Sequence, residues 1–318
     1  MKLLPDIQPT TRTHTMKNAL SRKPAVLTRS IAALLAISAF APQSARAAIV
    51  YWDNNGTDPG FGSAGGTWAT PTVSQWSAST DGTGTPSASL TTTGIDALNF
   101  GNGATGLGAG TITVSNTQNA STLTFATGSG NIALSGGTIS GLSFITVNGS
   151  ATATISSDIN GSNINKNGTG TLILSGAKTY AGIFRLDTGT LILDETGTWG
   201  TGTLNFYASN SPTLQTTASS TKILSNRIFI GSTNANISGA QSFEFTGLVN
   251  NRGANSVLYN DITGVGKTLT FSNTLGLNSG AGTANFTLSG SGTTNITGAI
   301  STTLQMVVLY LALAGPIN

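Results

Sequence analysis

The chain has 318 residues, of which 8% are charged and 38% hydrophobic, and it contains no cysteine. Gly, Thr, Ser and Asn together supply 155 residues; none is a good helix former, Thr favours strands and the others favour turns. The balance predicts many short strands joined by tight loops. It excludes collagen, whose glycines fall at every third position, and disorder, which carries few β-branched residues.

The formal charge of +3 is unevenly placed: seven of the fourteen basic residues precede position 47, opposed only by Asp6. An apolar run over residues 31–41 follows, as long as a signal-peptide core and too short to span a bilayer. Pro42 breaks it, and Ala45-Arg46-Ala47 supplies the small-x-small pattern accepted by signal peptidase. Residues 1–47 are therefore expected to be a signal peptide cleaved between Ala47 and Ala48, with Met1 or Met16 as the start. The alternative is a buried N-terminal helix. Residues 48–318 keep seven basic and ten acidic groups, a net charge of about −3, so the basic footprint of a nucleic-acid binder is absent.

Residues 48–100 hold Trp52, Trp68 and Trp76 between polar turns, which suits a cap with the first coils of a solenoid. Residues 101–300 repeat four to six residues of alternating polarity followed by Gly, Asn or Ser, as in 111–114, 131–134, 171–174, 190–193 and 267–271. Such period-2 patterning buries one face. The pattern Thr-Leu-x-Leu/Phe recurs from Thr122, Thr171, Thr190, Thr203 and Thr268 at irregular spacing. Stacked coils reward such like-on-like ladders. The expected fold is all-β, a right-handed parallel β-helix of roughly 20 to 25 residues per coil with an N-terminal cap; a sandwich or barrel is the competitor. Residues 301–318 form an atypical hydrophobic tail, read either as a truncated or frameshifted end or as a plug over the last coil; its apolar run is too short to cross a membrane, so no integral span is expected.

Within residues 163–193, Lys166 precedes Gly168, Gly170, Thr171, Leu172, Leu174 and Gly176, then come Thr179, Tyr180 and Gly182, and a second strand closes with Gly189, Thr190 and Leu191. This arrangement resembles the autotransporter-associated β-strand repeat, also called the passenger-associated transport repeat. The departure is Ile183-Phe184-Arg185-Leu186, where the family has small residues. The resemblance implies an exported, non-catalytic passenger-like protein at the cell surface or secreted, whose repeat aids secretion and folding. Its partners would be secretion machinery or a translocator barrel, and extracellular glycans or surfaces. Tyr180 is expected to fold over a turn with its hydroxyl in water, and Lys166 to sit on the surface.

The single histidine, His14, lies in the signal segment. Residues 48–318 therefore lack the His and Cys of nucleophilic triads and of the usual zinc, haem and iron–sulfur sites, and no catalytic residue, cofactor or metal ligand is assigned. Two alternatives remain, a carbohydrate-binding adhesin and a polysaccharide lyase or glycosidase. The latter needs two carboxyls about 5 to 10 Å apart, and Asp187 with Asp194 is the pair to watch. Gly101, Gly103 and Gly106 fit G-x-G-x-x-G, but no helix pattern follows to receive a pyrophosphate, so they are read as a turn.

Overall fold

The computed structural model describes residues 46–70, 75–87, 90–231, 234–253, 255–277, 284–302 and 307–313. Residues 1–45, where a signal peptide is expected, and much of the tail lie outside the described residues. No α-helix occurs among those described. The chain winds as a parallel β-solenoid of about 9 turns, and its strands stack into three faces.

The first face runs through Ile49–Trp52, Ala97–Phe100, Thr122–Phe125 and segments 144–147, 163–167, 183–186 and 203–206. It continues through Ile228–Ile230, Val249–Asn251, Leu275–Gly276 and Ile300–Ser301. The second face begins at Thr67–Trp68 and includes Gly110–Val114, Asn131–Ser135, Thr152–Ile155, Thr171–Leu174, 190–193 and 213–216. Ala235–Gly239, Asn255–Ile262, Ala284–Gly290 and Val307–Leu313 complete it, so the parallel ladder takes in part of the tail. The third face is split. Thr117–Asn119 and segments 138–140 and 158–161 form one part, and Lys222–Leu224, Phe243–Phe245, Thr268–Phe271 and Thr293–Ile296 form a separate four-stranded sheet. Between the two, residues 175–182 and 194–202 turn without forming strands.

Alternation decides what points inward. Ala97–Phe100, Thr122–Phe125 and Thr171–Leu174 all bury their second and fourth residues. Leu172, Leu191 and Leu214 stack directly on one another, as do Leu174 and Leu193. Phe100 and Phe125 stack with ring centroids 4.7 Å apart. At the N-terminal end the order changes: Ile49–Trp52 also pairs antiparallel with Trp76–Ser77, and Trp76 meets Trp52 at 4.9 Å and Trp68 at 5.6 Å, edge to face.

The irregular spacing of the Thr-Leu-x-Leu/Phe pattern has a structural cause. Thr122 and Thr203 open rungs of the first face, Thr171 and Thr190 of the second, and Thr268 of the third. One strand motif serves all three walls, so its recurrences do not count coils. Strand length also differs from expectation: Thr203–Thr216 runs for 14 residues, because the backbone carries its pairing around a corner through register shifts of the kind seen between Leu186 and Thr190.

Candidate functional site

The segment resembling the transport repeat forms one coil and the start of the next. Gly168, Gly176 and Gly189 adopt positive φ. Gly189 turns the chain between the first and second faces at φ 69°, and a Cβ there would lie 2.5 Å from Lys166 Nζ.

The structure corrects both side-chain expectations. Lys166 is fully buried, not on the surface. Register places it inward between Ile145 of the preceding coil and Leu186 of the next. Its Nζ donates to the carbonyls of Gly168 (2.7 Å), Gly170 (2.7 Å) and Thr188 (3.0 Å), the last belonging to the next coil. An ammonium has three N–H donors, and all three are matched. Burial pushes its pKa down to about 7. Tyr180 is likewise buried, and its hydroxyl is out of water. That hydroxyl accepts from Ile164 N–H at 3.1 Å and lies 2.6 Å from the Ile183 carbonyl, to which it donates. Burial pushes its pKa up to about 12, with the Ile164 bond opposing.

The two corrections have different local causes: Lys166 serves carbonyls at the corner between the first and second faces, and Tyr180 serves the strandless turn. Residues 175–182 lack strand partners, so the neighbouring Ile164 N–H and Ile183 carbonyl are met inside the coil by the Tyr180 hydroxyl. The sequence carried a signal for a residue that had not been singled out: Thr198-Trp199 follows Thr179-Tyr180 at the corresponding turn of the next coil. Trp199 is fully buried and donates through Nε1 to the Gly202 carbonyl at 3.0 Å.

Charged groups gather at this strandless edge. Burial raises Asp158 and Asp194, but hydrogen bonds outweigh it: the Thr179 hydroxyl and amide hold Asp158, and Ser175, Gly197 and Thr196 hold Asp194, below the usual carboxylate range. Glu195 is lowered by Ser219 and Ser220. Burial lowers Lys178 to about 8, opposed by Asp158 and Asp194; it also lowers Lys222, opposed by Asp194 and Glu195. Neither lysine pairs directly with a carboxylate: Lys178 donates to the Ser175 carbonyl, and Lys222 to those of Asp194 and Glu195, both at 2.9 Å. Among the described residues the ion pair is Arg185–Asp187, at 3.1 Å. Asp187 and Asp194 do not stack on neighbouring rungs. The first lies within the strand Ile183–Leu193 and the second just beyond its end.

Elsewhere, Ser211, Asn234, Asn236, Tyr259 and Asp261 line an open groove of 390 Å³ on the second face. Gly101–Gly106 forms a turn closed by paired Asn102 and Thr105, not a helix N-terminus. Ala47 is exposed, whereas Ala48 is half-buried and donates its N–H to Asp96 Oδ1 at 2.7 Å. Among the described residues no three His, Cys, Asp or Glu side chains converge as a metal site, and no helix is long and apolar enough to cross a membrane. No protein-family model, curated protein or solved structure matches the chain.

Proposed function

We propose that this protein is an exported, non-catalytic β-solenoid of autotransporter-passenger type, displayed at the cell surface or released from it. The observation that carries the reading is the coil-on-coil register, in which each rung is the hydrogen-bonding edge for the next. Coils that fold in sequence outside the cell would draw the remaining chain outward. The start of the strand system at Ile49, two residues beyond Ala47, supports cleavage there. Removing residues 1–47 turns the Ala48 amide into an ammonium facing the Asp96 carboxylate, converting a hydrogen bond into an ion pair. N-terminal sequencing of exported protein is expected to begin at Ala48; a cytoplasmic product retaining Met1 or Met16 overturns the reading.

The absence of hydrolytic or lyase activity is part of this proposal. General acid catalysis needs a protonated carboxyl near neutral pH, and Asp158, Asp194 and Glu195 are all shifted the other way. Asp187 faces Arg185 instead of a second carboxylate. Assays of the purified protein on pectin, alginate, xylan and chitin oligosaccharides are expected to show no turnover. Cleavage abolished by Asp187→Asn or Asp194→Asn refutes this.

A further inference from the structure

The outward side of the first face changes character between residues 183 and 252. All three arginines of residues 48–318 lie on it: Arg185, Arg227 and Arg252. Arg185 stands opposite Asn205, Asn205 opposite Phe229, and Phe229 opposite Asn250 on four successive rungs. Tyr207, Arg227 and Arg252 each sit two residues from a member of that column, so strand alternation turns them to the same side.

These cations are stacked on rings. The Arg185 guanidinium lies 3.9 Å from the Tyr207 ring centroid, and those of Arg227 and Arg252 lie 4.6 and 4.0 Å from the Phe229 centroid. One ring therefore holds two positive charges within about 9 Å of each other. Arg185 is neutralised by Asp187. Arg227 donates to Asn250 Oδ1 at 3.2 Å, and among the described residues neither it nor Arg252 has a carboxylate within ion-pair distance. Both are exposed, and Tyr207 is 56% exposed although Arg185 covers one face of its ring.

We propose that this face binds an acidic polysaccharide, with uronate carboxylates on Arg227 and Arg252 and a pyranose ring against Tyr207. Guanidinium forks match carboxylates bidentately. An exposed tyrosine offers an apolar face to the C–H side of a sugar and a hydroxyl to its rim. Rungs repeat every 4.8 Å or so, comparable to one sugar residue of an extended chain, so successive uronates meet successive rungs. The proposal stands on this face alone and not on export.

The test is binding of the purified full chain to oligogalacturonate, to its neutral methyl ester and to single-stranded DNA, by calorimetry at low and physiological salt. Oligogalacturonate is expected to bind most tightly and the ester not at all. Arg227→Ala with Arg252→Ala should weaken oligogalacturonate about tenfold or more, and Tyr207→Ala, an exposed change that leaves the core intact, several-fold. Lys267→Ala removes a positive charge elsewhere on the solenoid and should leave affinity unchanged. Equal affinity of the Arg227/Arg252 variant, no loss in Tyr207→Ala, an equal loss in Lys267→Ala, or DNA binding as tight as oligogalacturonate each overturns the proposal.

Discussion

Lys166 replaces a rung of an aliphatic ladder: its stem occupies the volume that Ile145 and Leu186 fill in adjacent coils, and its ammonium joins the carbonyls of two coils. Its folded pKa, about 7, lies below the ordinary 10.5. Between these values the unfolded chain binds the proton more tightly, so stability rises as pH climbs from about 7 toward 10.5. Lys178 and Lys222 are shifted the same way. The melting temperature is expected to increase between pH 7 and 10, and Lys166→Met to reduce that increase; a flat wild-type profile would contradict the assignment. Tyr180→Phe leaves the Ile164 N–H buried without an acceptor, which costs about 1–3 kcal/mol. Urea titration checks this, and a loss below about 0.5 kcal/mol counts against the buried-hydroxyl role.

The element most exposed to a local error is the corner between the first and second faces. Gly189 and Gly266 share φ 69°, but a Cβ at Gly266 meets nothing within 4 Å, whereas at Gly189 it meets Lys166 Nζ and the Gly168 and Gly170 carbonyls. Alanine at either position carries the left-handed penalty of about 1 kcal/mol. The difference between the two variants therefore isolates packing. Gly189→Ala should destabilise by at least about 2 kcal/mol more than Gly266→Ala, since the crowding atoms are mostly backbone. Equal losses in denaturant titrations would mean that the corner relaxes freely.

Across the whole molecule, stability is carried by contacts between neighbouring coils, as in other linear repeats. Thr171–Leu174 and residues 190–193 have the same sequence, Thr-Leu-Ile-Leu, in direct register. Deleting residues 171–189 joins Gly170 to Thr190 and restores that rung above Thr152–Ile155. The shortened chain should keep a strand-type circular dichroism spectrum and a cooperative melt, a few degrees lower at this chain length. An unfolded product would show that the removed coil, with Lys178 and Tyr180, is indispensable.

The strands themselves were legible because Thr, Leu, Ile and Phe alternate on a two-residue period, and one buried side per strand is all that the pattern encodes. So were the all-β class, the parallel solenoid and the turns at Gly and Asn. What period-2 alternation does not contain is the wall on which a strand lies: the identical Thr-Leu-Thr-Phe segments at 122–125 and 268–271 belong to different faces. Nor does a single strand reveal that a lysine at an inward position will find three carbonyls, because the Thr188 acceptor arrives from the following coil, 22 residues on. The arginine–aromatic face is likewise scattered over 68 residues of chain. Only the stacking of coils at strand spacing brings Arg185, Tyr207, Arg227, Phe229 and Arg252 together, since their separation in sequence is erased by winding.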